Sequence, residues 1–415
     1  MAGRGSREPG AAAPVKAGVD AARRASLCSR SARDAARRRG DRMNAAGRIA
    51  IVGGGVIGCA IAWELARRGA PVTLVERGQI GMEASWASAG IVSLPNRPEW
   101  SRERIELGRR SLELYPGWVA DLEERTGVDV GYRRPGEWNI AVDAEREAIE
   151  RERAAFQQGL GYVVEEVSPA EARRREPAMP GAVAAAWFAP KVGSLQVHQL
   201  TRALAQAAAA AGAEIRDQTP VSAIDIENGR AAAVRTASGS VPADTVVLAA
   251  GAWTRLLGDA IGMTFPTRPV KGQLLAYTGA PVRPRAAICG HGGYVRPRPD
   301  GSVIVAATEE EGAGFDRRLT AGGFEWLIQL TRTLCPALLE GEVAESWTGL
   351  RPGSDTGEPI IGAVPGVEGL WVAAGHFRTG AKEAPATGRL VAESLLAGAA
   401  DPLLARFAPR LEAQR

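Results

Sequence analysis

Residues 48–58 read Arg-Ile-Ala-Ile-Val-Gly-Gly-Gly-Val-Ile-Gly, an apolar run of strand length that passes straight into glycines. An apolar-periodic stretch from Val56 to Arg68 follows and is closed by Gly69, and a second short apolar run, Pro71 to Glu76, ends in an acid. Strand, helix and strand in that order predict a βαβ unit. Ser101 to Thr126 reads as a long helix with Ile105, Leu112, Val119 and Leu122 broadly on one face, and Pro116 is expected to kink or divide it. Glu137 to Val142 reads as a strand, Ala144 to Leu160 as a charged helix, and Val197 to Ala211 as an alanine-rich helix stopped by Gly212. Glu214 to Ala237 alternates as strands do, and Asp244 to Trp253 is a buried parallel-type strand ending in small residues. Strand candidates then dominate Pro266 to Gly349, among them Gln273 to Thr278, Gly293 to Arg296 and Ser302 to Ala307. A final strand, Leu370 to Ala374, leads through Gly375–Gly380 into a helix over Ala384 to Ala397, and no internal repeat is present.

The pattern predicts an α/β fold in which a Rossmann-type dinucleotide domain is interrupted twice. Residues 48–130, 191–265 and 350–400 would form that domain. Residues 131–190 and 266–349 would form a discontinuous α+β substrate domain on a mixed sheet.

The glycines after the first strand have the spacing G-x-G-x-x-G. Gly53 makes the tight turn, Gly55 lets the backbone approach a pyrophosphate, and Gly58 lets the helix pack on the strand. The phosphates would sit on the helix N-terminus, where unpaired N–H groups and the dipole favour negative charge. Glu76 can accept hydrogen bonds from both adenosine ribose hydroxyls and would repel a 2′-phosphate, which disfavours NADP and leaves FAD or NAD. Neither Gly290–Gly293 nor Gly312–Gly314 both follows an apolar strand and opens a helix, so a second nucleotide site is not indicated. A flavin reduced directly by its substrate is the economical reading.

At 415 residues and 45% hydrophobic content the chain can bury a large core. Its formal charge of +4 misleads, because residues 1–48 carry 12 Lys/Arg against 4 Asp/Glu and leave the rest near −4. That segment, residues 1–47, has almost no large apolar residues and is expected to be a disordered basic tail; an upstream start-codon assignment ahead of Met43 explains it at least as well as a transit peptide. The body offers no nucleic-acid surface and no transmembrane run. Cys28, Cys59, Cys289 and Cys335 are scattered, which fits a reducing cytoplasm. His198, His291 and His376 are far apart and suggest no metal site. A G-x-S-x-G elbow is missing, and the acid run Glu309–Glu311 reads as a solvated loop.

Residues 48 to about 398 resemble the D-amino acid oxidase superfamily of FAD enzymes, most of all its bacterial glycine oxidase branch. Seven blocks in order carry the resemblance: the N-terminal glycines with Glu76; Ala84 to Gly90; Ala249-Ala-Gly-Ala-Trp253; Pro269-Val-Lys-Gly-Gln273; Tyr294-Val-Arg-Pro-Arg298 with Asp300-Gly301; Trp347-Thr-Gly-Leu-Arg-Pro352; and Gly375-His-Phe-Arg-Thr-Gly380 with Ala384-Pro-Ala-Thr-Gly388. The resemblance implies that FAD is held by Gly53, Gly55, Val56, Ile57, Gly58, Glu76, Arg77, Ala84, Ser85, Ala89, Gly90, Val221, Ala250, Gly251, Trp253, Gly375, His376, Arg378, Thr379 and Gly380. It implies that Arg351, Tyr294 and Arg378 act on the substrate, with Arg351 anchoring its carboxylate. Oxidation of a small amino acid or amine, glycine first, would give an imine and, with molecular oxygen, hydrogen peroxide; the imine would feed thiazole synthase in thiamine biosynthesis. A homo-oligomer is expected. The sequence departs from the family pattern at Ala381-Lys-Glu383, where two charges stand close to the expected substrate pocket, at Thr379 in place of a common Asn, and at Lys271 in place of a frequent Arg. Lys382 or Glu383 could therefore recognise a larger polar amine or acid. A sarcosine- or D-amino acid-type dehydrogenase that passes electrons to a quinone or carrier, an oxidase of N-methyl amino acids, and a non-catalytic flavin-binding protein would share most of these motifs.

Overall fold

The computed structural model describes residues 47–410, so the basic N-terminal segment, Gly47 apart, lies outside the described residues. Strand β1 (Ile49–Val52) is buried throughout and pairs in parallel with β2 (Val72–Val75) and β3 (Thr245–Leu248). Continuous apolar strands of this kind need cover on both faces. β4 (Leu370–Ala374) extends the sheet in parallel beyond β3, and Glu214–Arg216 extends it beyond β2. Ile360–Ala363 closes the six-stranded sheet as an antiparallel edge.

Four helices form the core on one face of this sheet: α1 (Val56–Ala66), α2 (Arg102–Thr126), Val197–Ala210 and α3 (Gly380–Ala397). Trp63 of α1 and Trp118 of α2 meet with ring centroids 5.3 Å apart. The Trp118 indole N–H donates to buried Glu64 at 3.0 Å. Glu64 in turn pairs with Arg67 and Arg68 one turn on, so its charge is compensated where it would otherwise be costly.

The second sheet has eight strands in the order Glu342–Ser354, Thr267–Thr278, Val303–Ala306, Gly293–Pro297, Ala287–Gly290, Glu137–Ala141, Ala185–Ala189 and Glu165–Val167. All neighbours are antiparallel except Ala287–Gly290 with Glu137–Ala141, so the sheet is mixed. One face packs on the helix Ala321–Leu334 through Leu275, Tyr277, Val295 and Val305. Strand alternation sends Leu274, Ala306 and Tyr294 to the opposite face. Among the described residues no helix is long and apolar enough to cross a membrane.

Two expectations about helices are corrected. Pro116 does not divide α2, which runs unbroken from Arg102 to Thr126. Buried Tyr115, Trp118, Val119 and Leu122 dock this stretch against α1, α3 and the helix Val197–Ala210, and that packing outweighs a proline cost of about 3 kcal/mol. The final helix begins at Gly380 rather than Ala384, with Pro385 inside it. Pro385 has no N–H for the carbonyl of Ala381, and the Tyr115 hydroxyl donates to that carbonyl at 2.6 Å instead.

This substitution of one donor for another makes a test. Tyr115→Phe should lower stability by about 1–3 kcal/mol, the cost of a buried carbonyl left unpaired. Pro385→Ala restores a backbone N–H, so the double variant should lose less than Tyr115→Phe alone by thermal unfolding; equal losses would show that the carbonyl never depended on Tyr115.

Candidate functional site

The C-terminal ends of β1, β3 and β4 face the second sheet across a cavity of about 1320 Å³. Pockets for one small ligand run from roughly 300 to 1,000 Å³, so a dinucleotide and a small substrate both fit. Close backbone approach builds its floor. Gly53 has φ +115°, and a Cβ there would lie 2.4 Å from the Ala249 carbonyl oxygen at the end of β3. A Cβ on Gly58 would lie 2.0 Å from the Gly53 carbonyl oxygen, and one on Gly90, at φ +76°, 2.0 Å from that of Leu195. Only glycine allows these contacts.

Glu76 stands at the end of β2 with each carboxylate oxygen fixed by a backbone N–H, Gly54 at 2.7 Å and Gly78 at 2.9 Å. Both oxygens keep accepting capacity for ribose hydroxyls. Ser85 accepts from the Val56 N–H at 3.0 Å and so caps α1 from a separate segment. The Arg77 guanidinium lies 3.8 Å from the centroid of the Trp253 ring and pairs with Glu83 at 2.5 Å. This arrangement of turn glycines, oriented acid and stacked cation fits an adenine dinucleotide.

Of the residues assigned to the cofactor from sequence, Gly53, Gly55, Val56, Ile57, Glu76, Arg77, Ala84, Ser85, Ala89, Gly90, Val221, Ala250, Gly251, Trp253, His376, Arg378, Thr379 and Gly380 line the cavity. Gly58 and Gly375 do not; they act behind it, Gly58 in the helix–turn contact and Gly375, at φ +75°, in the turn that leaves β4.

The three residues assigned to the substrate are brought together on the far wall. Tyr294 and Arg351 come from the second sheet, Arg378 from the loop between β4 and α3. Arg351 lies over Gly272 of the adjacent strand, where a Cβ would come within 2.5 Å of its Nη2. It donates from Nη1 to the carbonyls of Thr308 at 3.0 Å and Lys271 at 3.4 Å. Burial pushes its pKa down, with Tyr294 and Glu310 opposing that. The Tyr294 phenol is pushed up by burial, while the Arg351 and Arg378 charges pull the other way.

Seven arginines line the cavity, and the pairing of their charges separates them. Arg77 pairs with Glu83, Arg97 with Glu99, Arg104 with Glu358 and Glu383, Arg153 with Glu150, Arg268 with Glu311 and Asp355, and Arg378 with Glu309. Arg351 has no ion pair among the described residues.

Lys382 and Glu383 do not face the substrate wall. Lys382 is 2% exposed and Glu383 0% exposed, packed between α3 and α2. Among the described residues the Lys382 ammonium has no hydrogen-bond partner, and it sits 4.9 Å from the Trp100 ring centroid. Burial lowers its pKa to about 8, and burial raises that of Glu383. Lys271 also points away from the cavity and pairs with Glu310 at 2.8 Å. The acid run is an exposed loop as expected, yet each of its acids is also paired: Glu309 meets Arg378, Glu310 meets Lys271 and Glu311 meets Arg268. His376 is buried and faces the Thr387 hydroxyl at 3.2 Å, with its pKa lowered to about 3 by burial and then by Arg104, so it is neutral.

Sequence reading missed Trp100, Arg104, Glu137, Asn139 and Arg153, all of which line the cavity. A signal existed for two of them. In Glu137-Trp-Asn-Ile140 the polar residues alternate with apolar ones that enter the core, so a strand here has a polar face, and that face is buried. Asn139 donates to Glu137 at 3.2 Å and accepts from Arg153 at 2.8 Å.

Comparison with known proteins agrees with this geometry. Residues 48–394 match the family model described as FAD dependent oxidoreductase (DAO). The chain belongs to that family. Its fit to FAD rests on the residues above, and the family describes FAD-dependent oxidoreductases. A glycine oxidase of Geobacillus kaustophilus is 36% identical over 348 residues, covering 83% of this chain and 92% of that protein. The bifunctional protein ThiO/ThiG of Trichormus variabilis is 33% identical over 369 residues, 86% of this chain but 54% of that protein. The crystal structure of a Bacillus cereus glycine oxidase superposes with a TM-score of 0.80 at 32% identity, covering 89% of this chain and 99% of that one.

The unpaired Lys382 ammonium gives a pH-dependent prediction. Its folded pKa of about 8 lies below the ordinary 10.5, so the folded protein carries the penalty of a buried charge below pH 8 and sheds it as pH rises from 8 to 10.5. Lys382→Met should be more stable than the parent at pH 7 by about 3 kcal/mol or less, and the gap should close across that window. A gap independent of pH, followed by thermal unfolding, would show that the substitution acts through packing alone.

Proposed function

We propose that the protein oxidises a small amino acid, glycine foremost, with FAD as its two-electron acceptor. The observation that carries this is the buried Arg351 guanidinium, held only by backbone carbonyls and lacking the ion pair that every other cavity arginine has. A substrate carboxylate supplies the missing counter-ion, and the planar fork of the guanidinium orients it bidentately. Tyr294, whose phenol stays protonated well above neutral pH, offers a hydrogen bond to the same carboxylate.

Gly380 and Ala381 at the start of α3 bound the same cavity. No side chain caps this helix N-terminus, which favours negative charge gathered beside it during reduction. The chain's contribution is positioning rather than acid–base exchange, in keeping with a neutral, buried His376. A hydride leaves the α-carbon and a proton leaves the amine, giving an imine. Molecular oxygen then accepts the two electrons and two protons as hydrogen peroxide.

The six-stranded sheet with α1 and α3 serves as the FAD domain and the eight-stranded sheet as the substrate domain, each discontinuous in sequence. The similarity to a protein named ThiO/ThiG supports a link in which the imine passes to a thiazole synthase.

Arg351→Ala should keep its flavin colour but lose about a hundredfold or more in kcat/KM for glycine, because the carboxylate loses its buried partner while the cofactor contacts stay. Oxygen uptake and the flavin spectrum read the two separately. Retained turnover by a yellow Arg351→Ala protein would remove Arg351 from the site, and failure of glycine to bleach the parent flavin would remove glycine as substrate.

A further inference from the structure

Arg378 reaches the cavity from the loop between β4 and α3, and Glu309 reaches it from the loop that follows strand Val303–Ala306. Their side chains form an ion pair between Nη2 and Oε2, with each partly exposed to the cavity. Glu309 directly follows Thr308, whose carbonyl holds Arg351 at 3.0 Å. The Glu309 carboxylate thus neutralises Arg378 from a position one residue along the chain from the carbonyl that holds Arg351. The neighbouring acids are committed elsewhere: Glu310 to Lys271 and Glu311 to Arg268. Arg97 repels Arg378 and is itself paired with Glu99, while Tyr294 acts on Arg378 in the opposite direction.

We propose that Glu309 is a specificity-determining residue that, by neutralising Arg378, leaves the substrate wall a single unpaired guanidinium and restricts substrates to amines bearing one carboxylate. This rests on the reading of Arg351 as the carboxylate anchor. A second carboxylate on the substrate would have to displace Glu309 from Arg378 and then lie beside it, a like-charge contact inside a partly desolvated cavity. Iminodiacetate is the natural probe, since it is glycine carrying a second carboxymethyl group on nitrogen: the same α-C–H bonds with one more negative charge. Removing the charge of Glu309 without changing its shape would free Arg378 to take that extra carboxylate.

The test uses the FAD-loaded parent, Glu309→Gln and Glu309→Asp. Anaerobic flavin bleaching gives the ratio of kcat/KM for iminodiacetate to that for glycine. Perturbation of the flavin spectrum gives the dissociation constants of glutarate and butyrate, a dicarboxylate and a monocarboxylate that cannot be oxidised in the same way. The parent should favour glycine and butyrate. Glu309→Gln should raise both dicarboxylate-to-monocarboxylate ratios by about tenfold or more, the worth of one charge-assisted hydrogen bond, and Glu309→Asp should stay near the parent. Unchanged ratios in a flavin-loaded Glu309→Gln protein, or a parent that already prefers the dicarboxylates, would overturn the proposal. If glycine fails to bleach any of the three proteins, the glycine reading falls by itself, and the glutarate-to-butyrate ratios still decide the role of Glu309.

Discussion

A buried guanidinium without a counter-ion is the constraint around which the site is organised. Removing a cation from water costs several kcal/mol unless charge and hydrogen bonds replace the lost hydration. Arg351 receives two carbonyl oxygens and no carboxylate. The fold tolerates this because its guanidinium is locked over Gly272, on a strand paired along its length with the strand that carries Arg351. Rigid pairing keeps the group from turning toward the surface, and the residual electrostatic demand is met when an anion arrives. Binding energy for a carboxylate is in this sense stored in the free protein.

Such an anchor is useful only if the cofactor lies at a fixed distance from it, and that distance is set by how two sheets meet. The parallel sheet delivers three strand ends to one side of the cavity through glycine contacts that no side chain could fit, at Gly53 against Ala249 and at Gly58 against Gly53. The mixed sheet delivers Arg351 and Tyr294 to the other. Gly349, two residues before Arg351, belongs to the same logic: a Cβ there would lie 2.4 Å from the Ala87 side chain, so the segment after β2 can press against the substrate wall. Trp347 completes the contact by donating its indole N–H to the Ala87 carbonyl at 3.1 Å.

What could be read in the sequence followed from periodicity and local chemistry. β4 was legible to the residue and β1 to within one, because each is a short apolar run bounded by breakers. The glycine spacing and Glu76 identified the nucleotide turn for the same reason. Tertiary effects were invisible. The helix Ala321–Leu334 opens on Ala-Gly-Gly, a poor helical start, and its existence depends on Leu327, Leu330 and Leu334 finding the sheet. Pro116 and Pro385 both argue locally against helix, yet packing holds one and the Tyr115 hydroxyl satisfies the carbonyl that the other abandons. The Glu309–Glu311 run is exposed as its composition suggests, but composition cannot show that successive residues on a turning loop face three different cations.

Charge pairing across the cavity then explains why so polar a site remains selective. Left unpaired, seven arginines would create a field that draws any polyanion. Six of them are balanced within the protein; Glu309 does this from the cavity itself and Glu383 from behind it. Glu383 does so from the first turn of α3, where a negative charge also suits the helix dipole, and its partner Arg104 is held in addition by Thr379 at 3.3 Å. The site's unpaired charge is thereby reduced to the one guanidinium whose geometry matches a carboxylate, so recognition depends on the alignment of a fork and not on a diffuse positive potential. Selectivity of that kind lies in which charges the protein has already satisfied, a property of the folded pairing that the count of arginines and acids in the chain does not contain.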